Sequence, residues 1–263
     1  MRRYLRLVTV QFRISAAAGM AYRSDFLLEG VMTIAWAALT LLPLAVLYDG
    51  RASVAGWTVE SALIVMAYFM AVKAALEGVI SPSLIDLVER IRTGAFDYVL
   101  LKPVDAQALI SASRFEPWKI FDILGAIALA AYAFHRRGLG PPALADVALG
   151  MLLFVAGVLA MYSIWIMFAA ASFWVVRLDN LTFLIGAIFD TARWPVHVFR
   201  GVWRFVFTFI FPIAVMTTFP AMALLGELDS DTALATLGGS ALLLVLSRLV
   251  WRTAIRSYTS ASS

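Results

Sequence analysis

Long apolar runs dominate this chain, and short polar turns separate them. The runs lack the strict apolar–polar alternation that half-buried strands show. Most approach or exceed the ~20 residues that an α-helix needs to cross a bilayer. Their ranges are 26–47, 57–80, 118–134, 143–176 and 232–251. The pattern predicts an all-α polytopic membrane protein, with residues 1–263 forming a single transmembrane domain.

Residues 1–25 combine arginines with apolar side chains at helical spacing; the arginines are Arg2, Arg3, Arg6, Arg13 and Arg23. We expect an amphipathic helix that lies in the membrane interface. A basic flank that only fixes the orientation of the chain is the alternative.

The longest polar interruption is the 81–107 segment, whose many charged side chains keep it out of lipid. Pro82 suits the first turn of a helix, and leucine and isoleucine residues then recur at helical spacing. Thr93–Gly94 has the form of a helix stop with a C-terminal glycine. The segment therefore predicts a short amphipathic helix and an ordered turn that a soluble partner would contact.

The stretch 181–225 is nearly continuous in apolar residues but contains charged residues and prolines. In one interpretation 181–199 spans the membrane, and 201–226 enters and leaves it as a broken re-entrant hairpin. In the other, 181–199 lies in the inner interface and 203–225 spans the membrane. Hydropathy alone favours the second interpretation.

Composition supports the membrane assignment, because 62% of the residues are hydrophobic and 14% are charged. Soluble domains average roughly 45–50% and 25%. The sequence pI of about 9.6 would suit a nucleic-acid partner, but the basic residues follow membrane topology. Predicted inner segments carry most of them, whereas predicted outer loops carry Arg51, Arg136 and Arg137. This bias puts both termini and the 81–107 segment in the cytoplasm, and no nucleic-acid partner is expected.

No motif for catalysis is evident in the sequence. A phosphate-binding GxxxxGK[ST] loop is missing, so we expect the chain neither to hydrolyse ATP nor to bind a cofactor. His135 and His197 lie far apart without ligand neighbours, so no metal site is predicted. Asp190 and Arg193 share a helix face within an apolar run and, with His197, form a candidate intramembrane polar site. They are either an ion pair that faces protein or a contact to substrate.

Other spacings concern helix packing. Lys73 lies four residues before Glu77, and Lys119 lies three before Asp122, so the members of each pair share a helix face. Small residues in the fourth run permit close helix approach, which suits either a dimer face or ordinary packing. They include Gly150, Ala156, Gly157 and Ala160.

One motif, RTGAFDYVLLKP at 92–103, is similar to the pattern R-x-G-x-hydrophobic-D-x-x-L-L-[KR]-P of a bacterial permease family. FWVVR at 173–177, followed by DNL at 179–181 and ARWP at 192–195, resembles a second motif of that family. The order of elements is similar over essentially the whole chain. The chain thus resembles the six-span membrane permease subunits of ATP-binding-cassette (ABC) exporters of the type-2 class.

The resemblance implies a permease that forms the substrate pathway as a dimer, with itself or a sister permease, in the bacterial inner membrane. A separate cytoplasmic ATPase subunit would hold ATP and Mg²⁺. The resemblance also favours a fifth span at 180–199 and a re-entrant hairpin at 201–226, which gives six spans. The exported substrate would be lipid-like or amphipathic, and membrane lipids would be natural partners.

The 81–107 segment would then contain the coupling helix, which transmits motion from the ATPase. The residues implied in coupling are Leu84, Leu87, Glu89, Arg90, Ile91, Arg92, Gly94, Asp97, Lys102 and Pro103. Leu84, Leu87 and Ile91 would seat the helix, and the charges at 89–92 would meet the ATPase. Two other function classes remain open: a membrane-embedded lipid-modifying enzyme and a scaffold that moves no substrate.

Overall fold

The computed structural model describes residues 2–21, 23–138, 140–174 and 186–258, and in them the regular structure is helical apart from one short hairpin. Helices α1 to α6 are Arg2–Ala21, Arg23–Tyr48, Val59–Ala75, Ser81–Arg92, Asp97–Leu100 and Ala106–Ile110. Helices α7 to α11 are Ile120–Arg137, Leu144–Ala170, Val202–Phe205, Phe219–Leu224 and Ser230–Arg256. The hairpin strands β1 and β2 are Ser53–Val54 and Trp57–Thr58.

Five helices among the described residues are long and apolar enough to cross a membrane. They cover Leu27–Tyr48, Val59–Arg92, Pro117–Arg137, Leu144–Phe173 and Ser230–Arg256. Each falls on one of the apolar runs of the sequence, so the prediction of a multi-pass helical membrane protein is confirmed. The amphipathic helix predicted for the N-terminus corresponds to α1, and its place in the membrane interface stays a prediction.

Helix α3 lies at the centre of the molecule. Its apolar side chains, such as Ile64, Met66 and Phe69, are almost completely buried. It packs against α7, α8 and the stretch 214–224. Helix α2, by contrast, leaves most of its large apolar side chains exposed, as a surface that faces lipid or another protein does.

The sequence suggested that the amphipathic helix of the 81–107 segment is separate from the second span. The structure joins the two. Helix α3 continues through a π-helical turn, Leu76–Ile80, directly into α4. Pro82 cannot donate to the carbonyl of Gly78, four residues before it. The N–H of Glu116 donates to that carbonyl instead, at 2.8 Å. Pro82 therefore marks the place where another segment docks, and no new helix starts there.

The predicted fifth span at 180–199 is described only from 186 onward. Residues 186–189 are helical, but Asp190–Arg193 and Val196–Val198 are short 3₁₀ turns on either side of Pro195. A regular α-helix does not continue to 199, because Pro195 lacks the backbone donor and disfavours helix at the residue before it. The count of six spans stays a prediction.

The stretch predicted as a re-entrant hairpin, 201–226, is broken at Phe211–Pro212. Helical turns occupy 202–210 before the break and 214–224 after it, each with a π-helical part. The second part packs closely on α8. A Cβ on Gly157 would lie 2.9 Å from the Met216 Cα, and one on Gly150 would lie 3.3 Å from the Pro220 carbonyl oxygen. These small residues of α8 therefore serve packing within the chain.

The end of the molecule opposite α4 carries its own polar contacts. Arg137 pairs with Glu227 at 2.9 Å, which joins α7 to the loop before α11. The Tyr48 hydroxyl donates to the Trp57 carbonyl at 3.0 Å and holds the β-hairpin to α2. These contacts lie at the end of the molecule opposite the 81–107 segment.

Candidate functional site

Helix α4 buries one face against the rest of the molecule. Leu84 and Leu87 are 3% and 0% exposed, and Ile91 packs partly buried beside the same core. The structure thus places all three side chains on the inner face of the 81–107 segment, where the resemblance had them. Their burial fixes the orientation of the helix and turns Ile85 and Glu89 outward.

A buried carboxylate, Asp86, ties α4 to the chain that follows the segment. The Arg90 Nε lies 2.6 Å from Asp86 Oδ2, and the Arg114 Nη2 lies 3.1 Å from its other oxygen. Ser113 donates a third contact at 3.3 Å. Asp86 thus holds the Arg90 guanidinium, although the Arg90 side chain is still 37% exposed. The contact of Arg90, Glu89 and Arg92 with an ATPase stays a prediction.

Helix α4 ends as the sequence predicted, at Thr93–Gly94. Gly94 has φ +75°, a left-handed conformation that glycine adopts without strain. The Thr93 N–H and hydroxyl both donate to the Glu89 carbonyl, at 3.0 and 2.9 Å. The Phe96 N–H donates to the Arg90 carbonyl at 3.0 Å. The last carbonyls of α4 are thus satisfied, and the chain turns back sharply.

Phe96 is the centre of an aromatic cluster that fixes the turn. Its side chain is fully buried, and its ring lies edge-to-face with Phe173, Tyr258 and Trp251 at centroid distances of 5.3, 5.2 and 6.3 Å. Edge-to-face aromatic pairs add about 0.5–1.5 kcal/mol each beyond the burial of their area. Phe173 follows α8, whereas Trp251 lies on α11, so the cluster joins the turn to two spans.

A polar network makes a second connection. Asp105 caps α6 by accepting the Ala108 N–H at 3.0 Å, and it pairs with Arg248 of α11 through an Nη1–Oδ1 contact of 3.0 Å. Arg248 also donates to Gln107 at 2.7 Å, and Gln107 donates to the Tyr162 hydroxyl of α8 at 3.0 Å. The hydrogen bond from Arg248 holds the pKa of the Asp105 carboxyl below its ordinary value.

The outer surface of the segment combines apolar and charged side chains. Tyr98 and Leu101 are 71% and 80% exposed. Beside them Glu89 and Arg92 form a pair at 2.9 Å, and Lys102 and Pro103 are exposed. Sequence reasoning missed Tyr98 and Leu101. The available signal was helical spacing. Phe96 and Val99, three apart, share one face of the short helix, so Tyr98 and Leu101, also three apart, lie on another face.

The second candidate site is only partly assembled. Asp190 contacts Arg193 at 3.7 Å and Lys73 at 3.5 Å, and the Arg193 guanidinium lies 5.7 Å from the centre of the Phe69 ring. His197 instead accepts a hydrogen bond from the indole of Trp57 at 3.3 Å. Trp57 lies in β2, before α3 begins at Val59, whereas Phe69 lies ten residues, or about 15 Å, farther along α3. The structure therefore does not bring His197 to the Asp190–Arg193 pair.

The described residues thus form a multi-pass helical membrane protein with an exposed, ordered turn at one end. The family model described as ABC-2 family transporter protein matches residues 34–262. The chain therefore belongs to the ABC-2 family, and it is the membrane permease component of an ABC transporter. Searches of curated proteins and of solved structures found no match. The part of the family-like motif at 175–181 lies outside the described residues.

Proposed function

We propose that this permease exports a lipid-like or amphipathic substrate, as a dimer with itself or a sister permease, driven by a separate ATPase subunit. In this proposal it crosses the bacterial inner membrane six times, with both termini in the cytoplasm, and ATP with Mg²⁺ binds on the ATPase. The observation that carries the proposal is the exposed Tyr98–Leu101 surface on a firmly anchored turn. A large exposed apolar patch rimmed by charges is typical of a protein contact.

The anchoring of the 81–107 segment supports a role in transmitting motion. Phe96 connects the turn to Phe173 and Trp251, whereas Asp105 connects it to Arg248. A push on the exposed surface would therefore reach both α8 and α11 together. Movement of packed helices as units is a common form of switching, because packed cores do not deform gradually.

The exposed side of α2 supports a dimer embedded in lipid. Val31, Ile34, Leu42 and Val46 are each more than half exposed in the single chain. Lipid tails or a second copy would cover such a surface. The enzyme alternative has less support, because the polar cluster on which it depended lacks His197.

The first test is affinity purification of the full chain from its own cells in mild detergent, with identification of the proteins that accompany it. We expect an ATPase subunit with phosphate-binding motifs, and its stoichiometry will distinguish a homodimer from a pair of sister permeases. Purification of the chain alone, as a stable monomer, would overturn the proposal.

The docking surface has a matched pair of variants. Leu101→Asp places a charge on the exposed turn, and Leu144→Asp places one on a residue that is 84% exposed at the start of α8. We expect Leu101→Asp to lose the ATPase subunit while still inserting in the membrane, and Leu144→Asp to keep it. Equal retention by both variants would remove the docking assignment.

A further inference from the structure

A cavity of about 500 Å³ lies between α2, α3 and α7. Ligand pockets for drug-sized molecules are typically about 300–1,000 Å³. Charged side chains form its floor: Glu29, Lys73, Glu77, Lys119 and Asp122. The walls above are formed by Met32, Thr33, Trp36, Ala37, Thr40, Phe69 and Met70.

The cavity is charged at one end and largely apolar at the other, as an amphiphile is. From Glu29 at the floor to Thr40 at the top, α2 rises about 16 Å at 1.5 Å per residue. The charged groups lie at the cytoplasmic ends of the three spans, and the apolar groups lie one to three turns deeper. Met32 and Trp36 are 51% and 62% exposed, so the cavity opens sideways to lipid. An amphiphile with its head at the floor would place its chain along these walls.

The two lysines of the floor are already paired. Lys73 contacts Glu77 at 3.7 Å and also contacts Asp190. Lys119 contacts Glu77 at 2.5 Å and Asp122 at 3.4 Å. An anionic head group would have to break these pairs to reach a lysine, and each broken pair would leave a carboxylate without its partner.

Glu29 is different. Within the described part of the chain its carboxylate forms neither an ion pair nor a hydrogen bond. It also lines a second cavity, of about 520 Å³, between α1 and the stretch 113–118. Burial, and then the nearby Glu29 carboxylate, raise the pKa of Glu116, which lines that second cavity. Glu29 thus lines both the cavity beside α1 and the cavity between α2, α3 and α7.

We propose that the cavity between α2, α3 and α7 binds the head group of an amphiphile that carries an aliphatic ammonium, with Glu29 as its counter-ion. The five floor groups have one more negative than positive charge, and the neighbouring Asp190 and Arg193 do not change that balance. Glu29 is exposed at the end of α2, and a cationic head group would form with it the ion pair that it lacks among the described residues. Trp36, which lies about two turns above Glu29, lines the wall along which the apolar chain would lie. The inference deepens the proposed function by naming a substrate class, and it rests on that function for transport but not for binding.

The test measures equilibrium binding to the full chain in lipid nanodiscs, without any ATPase. The probes are a fluorescent dodecylamine and the dodecanoic acid that carries the same fluorophore. We expect saturable binding of the amine and weak binding of the acid. Glu29→Gln should lower amine affinity roughly tenfold or more, since a hydrogen bond to a charged group contributes about 1.5–3 kcal/mol. Glu227→Gln, at the opposite end of the molecule, should leave the affinity unchanged.

A second variant guards against a folding defect in Glu29→Gln. Ala37→Phe fills the upper part of the cavity and retains every charged group, so it should abolish amine binding through lost space. Equal binding of amine and acid, or unchanged amine binding in both cavity variants, would overturn the proposal. Because no ATPase is present, this outcome is distinct from a failure of the ATPase to associate.

Nanodisc composition distinguishes two sources of the ammonium. If discs of phosphatidylethanolamine weaken amine binding relative to discs of phosphatidylcholine, which has the same net charge, the site takes a lipid head group with a primary amine. If both kinds of disc give the same saturable, Glu29-dependent binding, the ligand is a free cationic amphiphile.

Discussion

Single glycines determine how closely the broken stretch at 214–224 approaches α8. A Cβ on Gly157 would meet backbone atoms of Val215 and Met216 at 2.9 Å, and backbone cannot move aside as a flexible side chain can. The sequence showed that α8 is rich in small residues but left two explanations open, a dimer face or ordinary packing. The partner of Gly157 lies about 60 residues later in the chain, and pattern within one helix cannot identify such a partner.

Gly157→Ala should destabilise the protein, because the added methyl group forces the 214–218 turn away from α8. Overpacking of this kind typically costs about 1–3 kcal/mol. Thermal unfolding in detergent, followed by size-exclusion chromatography, will show the shift. The control is Gly239→Ala in α11, where an added Cβ meets nothing within 4 Å among the described residues. Equal melting temperatures for the two variants would contradict the close contact.

At the scale of elements, the stretch 114–116 forms hydrogen bonds with the continuous helix that runs from α3 into α4. Glu116 donates its N–H to Gly78, and the Ser83 hydroxyl both accepts the Arg114 N–H at 3.1 Å and donates to the Arg114 carbonyl at 3.0 Å. Glu116 therefore supplies the one hydrogen bond that Pro82 leaves unmade, and Ser83 holds Arg114 beside it. Five spans were predictable because each is a long apolar run. A proline is typical of the first turn of a helix, so Pro82 predicted a new helix. The continuity of α3 and α4 was therefore not predictable.

Ser83→Ala should loosen the stretch 114–116, since it leaves two backbone groups of Arg114 without partners. An unsatisfied buried group costs about 1–3 kcal/mol. Hydrogen–deuterium exchange should be faster at residues 113–116 and unchanged in α8. Ser81→Ala is the matched control on the same helix, because the Ser81 hydroxyl makes no hydrogen bond to the described residues. Unaltered exchange in Ser83→Ala would refute this role.

Across the whole molecule, the 81–107 segment is joined to α11 by Asp105 and Arg248, which are 143 residues apart in sequence. The sequence indicated where the turn lies and which apolar residues seat it. It did not indicate Asp105, Arg248 or Phe96 as anchors, because contacts between distant segments leave no periodic signal. It also predicted a polar site that included His197, since proximity in sequence was the only guide before the 3₁₀ turns around Pro195 were known.

Because of the Asp105–Arg248 pair, we expect the thermal stability of the protein to fall at acidic pH. The folded pKa of Asp105 lies below its ordinary value of 3.8, so the pair contributes fully above that pH and its contribution is lost as the pH falls through the lowered value. We expect wild type to melt above Asp105→Asn by a constant margin near neutral pH, and the margin to shrink as the pH drops below about 4. Melting curves of both proteins from neutral to acid pH will test this. A margin independent of pH would show that the charge of Asp105 does not contribute.

The uninterrupted helical path from Val59 to Arg92 carries Lys73 and Glu77 at the cavity floor, and farther along it carries the surface proposed to meet the ATPase. Where two ligands prefer different positions of one element, their binding is thermodynamically linked, and this linkage is reciprocal. Any factor by which the ATPase tightens or weakens the hold on the amphiphile must equal the factor by which the amphiphile changes the hold on the ATPase. Binding of the amphiphile and binding of the ATPase would thus be two measurements of the same coupling free energy.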